Sequence, residues 1–252
     1  MTPKEALEIA RTVGEEVQKA IKQLVGTEDG GKVVGIGKDG TPTNKIDKVA
    51  EDVALSILRQ YDVKVVSEEA GIVGEGDVYV ALDPIDGTFN AIHGIPIYSI
   101  SLCFSNSERL GDAFFGYVLN LAIDDEYYGL DGKAYKNGKR ISVSKKFDIE
   151  DIDVIMYYPT KKYNFKRLRI FGSAALELCF VAEGIIDCFI DVRNFLRIFD
   201  VAAGIFIAKN AGAYVTDLDG SSLDDKRFNM EERLRLVVAN PELHRKILKL
   251  IN

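Results

Sequence analysis

The sequence has no tryptophan and only two histidines, His93 and His244. It does not point to a site built on a histidine base, and both imidazoles read as surface or structural groups. Cysteine is also scarce: Cys103, Cys179 and Cys188 show no metal-ligand spacing and are odd in number. They read as small buried hydrophobes, with a Cys179–Cys188 disulfide left open. No apolar run is long enough to span a bilayer; the stretch YSISLCF, 98–104, is broken by serines and far too short. The first residues, MTPKEALEIARTVGEEV, are charged and carry no signal-peptide core. These absences point to a cytoplasmic protein with no membrane partner. A basic excess is missing too. The 32 Lys and Arg face 39 Asp and Glu, a net charge of −7, which argues against a nucleic-acid partner because phosphate backbones demand a basic face. Small phosphorylated ligands stay open, since they need only a local site.

What is present is a chain of 252 residues, 47% hydrophobic, enough for a large core. Ala6, Leu7, Ala10, Val13, Val17, Ile21 and Leu24 recur at helical spacing, as do Ile46, Val49, Ala50, Val53, Ala54, Ile57 and Leu58. Between the two helices lies TEDGGKVVGIGKDGTPT, a glycine-rich loop with a hairpin around 33–36, long enough to act as a functional flap. Strands follow at 63–67, 78–82, 98–104, 113–120 and 126–130, with a hairpin turn at Asn137-Gly138. Beyond about 145 strands and helices alternate: strands at 153–158, 169–171, 187–192, 213–217 and 235–239, helices at 173–183, 201–211 and 241–251. There is no internal repeat and no low-complexity linker. The chain therefore reads as two closely joined halves, an α+β half over 1–140 and an α/β half over 141–252.

The stretch VALDPIDGTFN, 80–90, drives a buried-looking strand into Asp83 and Asp86, three residues apart. Glu68-Glu69 ends the preceding strand in the same way. If those strands are neighbours, their carboxylates converge at one sheet edge and repel one another unless a cation neutralises them. An all-oxygen ligand set suits Mg²⁺ or Mn²⁺. Pro84 ends the strand ladder in this reading and aims both aspartates inward. Gly87 lets backbone N–H groups approach an anion, and Thr88 can cap a short helix and donate to it. D-x-x-D alone is more often just a turn; the Glu-Glu pair is what adds weight. Asp200, in RIFDVAAG, is a further candidate acid, although a helix N-cap explains it equally well.

DPIDGT, 83–88, resembles the signature of the inositol monophosphatase and fructose-1,6-bisphosphatase superfamily. Ser67-Glu68-Glu69, Gly172-Ser173-Ala174-Ala175 and Phe199-Asp200-Val201-Ala202-Ala203-Gly204 follow the family's other motifs in order, across nearly the whole chain. VSEE, a GIP segment and IDVR look most like the archaeal-type bifunctional members. The resemblance implies an α/β class fold, α+β in its first half, layered as an α/β/α/β/α sandwich, and a homodimer. It also implies two or three Mg²⁺ ions held by Glu68, Asp83, the Ile85 carbonyl, Asp86 and Asp200, with Glu68 and Thr88 catalytic. Asp86, Gly87, Thr88, Ser173 and Ala174 would meet the phosphate, and Asp191 the substrate ring. Relatives pair the threonine equivalent to Thr88 with an Asp; ungapped counting back from Asp47 puts Thr41 at that position, with Asp39 nearby as a substitute.

Substrates would be small sugar or inositol phosphates. A bisphosphate needs cations at its far end, and Arg169, Arg193 and Arg197 are the candidates, each equally readable as a surface ion pair. Tyr157 would add a hydroxyl contact. These point to fructose-1,6-bisphosphate, cleaved at its 1-phosphate, with inositol-1-phosphate beside it. The rivals are a 3′-phosphoadenosine nucleotidase, a catalytically silent binding module and a structural Ca²⁺ site.

Overall fold

The computed structural model describes residues 1–38 and 40–252. Helix α1 (Pro3–Ile21) starts from a capping box in which Thr2 and Glu5 satisfy each other's backbone N–H groups, with proline in its first turn. Strands β1 (Val33–Ile36) and β2 (Pro42–Asn44) form the hairpin within the glycine-rich loop, and α2 (Lys45–Leu58) follows. Next come β3 (Val63–Ser67), β4 (Gly71–Val73), β5 (Val78–Asp86), the short α3 (Thr88–Ile92), β6 (Ser99–Ser105), β7 (Ala113–Asn120), β8 (Glu126–Leu130), β9 (Lys133–Lys136) and β10 (Lys139–Ile141). They build an eight-stranded mixed sheet, β10-β9-β8-β7-β6-β5-β3-β4.

The chain then forms β11 (Asp153–Tyr157), β12 (Arg167–Arg169), α4 (Ala174–Glu183), β13 (Cys188–Leu196), α5 (Ile198–Asn210), β14 (Tyr214–Thr216), β15 (Leu234–Ala239) and α6 (Pro241–Ile251). The second sheet has the order β12-β11-β13-β15-β14. Three apolar cores divide the molecule into five layers. The apolar stripes of α1 and α2 cover one face of the large sheet, through Val13, Val17, Ile46 and Leu58 against Val80, Leu82 and Leu102. Helices α4 and α5 lie between the sheets and α6 closes the outer face of the small one. Being covered on both sides, α4 and α5 are apolar nearly all round. They approach so closely that a Cβ at Gly204 would stand 2.7 Å from the Leu178 side chain. This is the α/β/α/β/α sandwich expected from the sequence.

Several local expectations change. β5 does not stop at Leu82; it runs through Pro84 to Asp86, and its register with β6 shifts between Asp83 and Asp86. A proline, which has no N–H to give the ladder, is tolerated at such an irregularity. β4 was not foreseen, being only three residues long. α5 begins at Ile198, which moves Asp200 from a cap position into the first turn. β12 occupies Arg167–Arg169, earlier than expected. All three cysteines are buried and free, so the Cys179–Cys188 disulfide is absent.

Candidate active site

β3 and β5 are parallel neighbours, with Ser67 paired to Leu82. Glu68 and Asp83 therefore leave the same edge of the sheet side by side. The open edge carries a cleft of about 320 Å³ bounded by Glu68, Asp83, Ile85, Asp86, Gly87 and Thr88 from the large sheet side. Tyr157, Gly172, Ala174, Arg193, Phe195, Arg197 and Asp200 close it from the other half of the chain.

Asp83 is buried and, among the described residues, receives one hydrogen bond, from the Ile85 N–H at 3.1 Å. Burial, followed by the charges of Asp86, Glu68 and Asp200, pushes its pKa well above the usual carboxylate range. Asp86 is buried as well but better served. It accepts from Ser173 Oγ at 2.6 Å and from the Ala174 and Ala175 N–H groups at 3.2 and 2.7 Å, which caps α4. Burial raises its pKa to about 7, with the bonds from Ser173 and Ala175 opposing. Asp200 accepts from the Arg197 N–H at 2.7 Å and Glu68 is ion-paired with Arg197. Glu69 accepts from the Thr43 hydroxyl of the hairpin. Beneath this turn Glu51 of α2, almost fully buried, accepts from Ser67 Oγ at 2.6 Å and Ala70 N–H at 2.8 Å, fixing the segment that carries Glu68.

Gly87 has φ of 96°, and a Cβ there would meet the Gly172 and Ile97 carbonyls at 3.0 Å, so both conformation and space require glycine. Thr88 opens α3. Its hydroxyl donates to Asp47 Oδ1 at 2.9 Å, with the Ile85 carbonyl at 3.1 Å. Asp47 is a buried residue of α2, steadied by Asn44 Nδ2 at 3.1 Å. The sequence reading put Thr41 or Asp39 in that role; among the described residues Asp47, and not Thr41, holds the Thr88 hydroxyl. The Thr41 carbonyl accepts from the Gly37 N–H inside the hairpin, and Asp39 lies outside the described residues. The signal for Asp47 was its place on the helix that packs against α3, which counting along the chain does not show.

The substrate-side residues divide. Arg193 and Arg197 line the cleft, whereas Arg169 is exposed on β12 and donates to the adjacent Leu168 carbonyl. Asp191 is fully buried behind Arg193; it accepts from the Arg193 N–H at 2.8 Å and Nη2 at 2.5 Å. The Arg193 guanidinium stands over the Tyr157 ring at 4.2 Å, with Tyr158 at 5.4 Å and Phe195 at 5.3 Å. The Tyr157 hydroxyl is not offered to the cleft; it donates to Glu177 Oε2 at 2.8 Å. Glu177, unnoticed in the sequence, is a lone acid on apolar α4 that also accepts from Phe171 and Gly172 N–H groups. Burial lifts its pKa to about 7. Ser173 is buried against Asp86 and does not reach the cleft, while Ala174 does. Of the two histidines, His93 is exposed and His244 is buried against Thr216.

Among the described residues no three His, Cys, Asp or Glu side chains form a finished ligand cage. Glu68 is ion-paired with Arg197, Asp86 accepts from the first N–H groups of α4, and Asp200, in the first turn of α5, accepts from the Arg197 N–H. Yet Asp83 is a buried carboxylate amid like charges with, among the described residues, a single backbone donor. That deficit, in an all-oxygen surround, fits a hard divalent cation.

A five-layered sandwich with an acidic cleft at a strand edge defines the class of layered phosphatases. Residues 3–252 match the model of the Inositol monophosphatase family; the chain belongs to that family and is a phosphatase. It is 58% identical over 255 residues to a fructose-1,6-bisphosphatase/inositol-1-monophosphatase of Archaeoglobus fulgidus, each chain being covered in full. A bifunctional NADP phosphatase/NAD kinase of Methanocaldococcus jannaschii is 35% identical over 292 residues, covering 98% of this chain and 50% of that one. Among solved structures, a hypothetical protein from Pyrococcus horikoshii with similarities for inositol-1 monophosphatase has a TM-score of 0.88 at 32% identity, with full coverage of both chains. Among the described residues no helix is long and apolar enough to cross a membrane.

Proposed function

We propose that the cleft hydrolyses the phosphomonoester of inositol-1-phosphate and the 1-phosphate of fructose-1,6-bisphosphate, with Mg²⁺ as cofactor. The observation that carries this is Asp83, buried among Asp86, Glu68 and Asp200 with too few donors, beside the Gly87-Thr88 turn. Glu68, Asp83, Asp86, Asp200 and the Ile85 carbonyl would hold two or three Mg²⁺ ions, with Mn²⁺ as a substitute. When bound, the ions supply charge neutralisation at the phosphoryl oxygens and an activated water. Thr88 Oγ, donating to Asp47, keeps lone pairs with which to accept from that water. A proton given up by that water would pass to Thr88 Oγ as the Thr88 proton moved to Asp47 Oδ1. Backbone N–H groups of Gly87 and Thr88 orient the phosphate.

Arg193 is the proposed reader of the second phosphate. Asp191 and the Tyr157 ring hold its guanidinium at the cleft wall, and among the described residues its Nη1 has no hydrogen bond. Arg193→Ala is expected to cut kcat/KM for fructose-1,6-bisphosphate about ten-fold more than for inositol-1-phosphate, the scale of one lost charge-assisted hydrogen bond. Equal losses on both substrates, in steady-state assays run side by side, contradict that role.

A second reading is favoured by the exposed aromatics. Phe195, 61% exposed, lines the cleft, and Tyr158, 70% exposed, joins it around Arg193. Such a rim suits the stacking of a nucleotide base, as the 2′-phosphate of NADP or a 3′-phosphoadenosine would require. Turnover of NADP above that of inositol-1-phosphate in the same assay would put this reading first.

A further inference from the structure

Ser101 lies in the middle of β6, fully buried. Among the described residues its hydroxyl is the one buried side-chain polar atom with no hydrogen-bond partner. Buried hydroxyls are normally paired, and other serines of this strand are. Ser99 Oγ lies 3.2 Å from Ser173 Oγ, and Ser105 Oγ donates to the Arg109 carbonyl at 2.9 Å.

The ladder places the orphan. Ser101 is directly opposite Asp83 across β5–β6 and opposite Val118 across β6–β7. Directly opposed residues project from the same face of a sheet, their Cβ atoms about 4.5–5.5 Å apart. On this face Ala81, Cys103 and Val118 pack in the core between the sheets, under α5. Ser101 thus stands on the protein side of Asp83, away from the mouth of the cleft. Among the described residues Ser101 Oγ has no partner and Asp83 accepts from the Ile85 N–H.

We propose that Ser101 is a positioning residue for Asp83. Its hydroxyl donates to the Asp83 carboxylate, directly or through one buried water, when a divalent cation occupies the carboxylate's other side. Ligating carboxylates are commonly held by such outer hydrogen bonds. The assignment rests on the metal-ion reading given above. It also separates Ser101 from ordinary packing, because removing an unpaired buried hydroxyl is neutral or stabilising when the hydroxyl has no use.

The experiment compares full-length wild type and Ser101→Ala by thermal unfolding, in EDTA and across a Mn²⁺ titration. In EDTA the variant is expected to melt no lower than wild type. The Mn²⁺ concentration giving half of the stabilising shift is expected to rise about ten-fold. The KM for inositol-1-phosphate at saturating Mg²⁺ is expected to stay within about two-fold, as the substrate does not touch Ser101. Ser101→Cys, similar in size with a weak donor, is expected between the two and replaces the alanine variant should that fail to fold. Mn²⁺ half-points indistinguishable from wild type overturn the proposal. A wild type that Mn²⁺ does not stabilise overturns the metal-ion reading, and Ser101's role with it.

Discussion

Asp83→Asn is expected to lower kcat/KM by about a thousandfold or more, equivalent to about 4 kcal/mol of transition-state stabilisation, while leaving the protein folded. The asparagine has the same shape, and its carbonyl can still accept the Ile85 N–H. What it lacks is the charge that would hold the cation. The same missing charge predicts an opposite effect on stability without metal. Asp83 is buried, faces Asp86, Glu68 and Asp200, and has its pKa raised by both causes. A raised acid destabilises the fold once pH exceeds the ordinary carboxylate range, and does so increasingly as pH climbs towards the folded value. In EDTA near pH 8 the variant should therefore be more stable, by about 1–3 kcal/mol, the scale of an uncompensated buried polar group. The advantage should vanish near pH 3, where the carboxyl is protonated folded and unfolded. Thermal melts at the two pH values, alongside kinetics, test both halves. Activity above a tenth of wild type would remove Asp83 from the proposed metal site.

Thr88 and Asp47 should behave as one device. Thr88→Ala removes the hydroxyl proposed to accept from the attacking water; Asp47→Asn keeps a hydrogen-bond acceptor but removes the group proposed to take the proton. Each is expected to lower kcat by about 10²–10⁴, the usual worth of a positioned proton acceptor, with KM moving far less. The double variant should be little worse than the worse single one, since groups acting as a unit are not additive. Thr41→Ala should stay close to wild type, because the Thr88 hydroxyl bonds to α2. Additive losses in the Thr88 and Asp47 cycle would show that the two act separately. A large loss in Thr41→Ala would return the flap to the role proposed for Asp47.

The residues most legible in the sequence were those set by local chemistry. Carboxylates at two strand ends would converge if the strands were neighbours, and β3 and β5 are hydrogen-bonded in parallel. The helical spacing of Val13, Val17 and Ile21 marked the buried face of α1. The asparagine–glycine pair marked the β9–β10 turn. What stayed hidden depends on contacts between segments remote in sequence. Asp47 meets Thr88 only because α2 packs against α3, 41 positions further along. The Tyr157 hydroxyl turns inward because Glu177, on a helix of the next layer, offers a buried acceptor. Asp191 was read as a substrate contact, but the Arg193 guanidinium stands between it and the cleft wall. Arg169 follows from where β12 pairs with β11, and no local pattern sets that register.

Phosphate release from inositol-1-phosphate and from fructose-1,6-bisphosphate, measured side by side with Mg²⁺ and again with EDTA, bears on the whole chain of reasoning at once. Release from both substrates that disappears in EDTA and returns on adding Mg²⁺ is the expected result. Release that persists undiminished in EDTA, or none from either substrate with Mg²⁺ present, would contradict it.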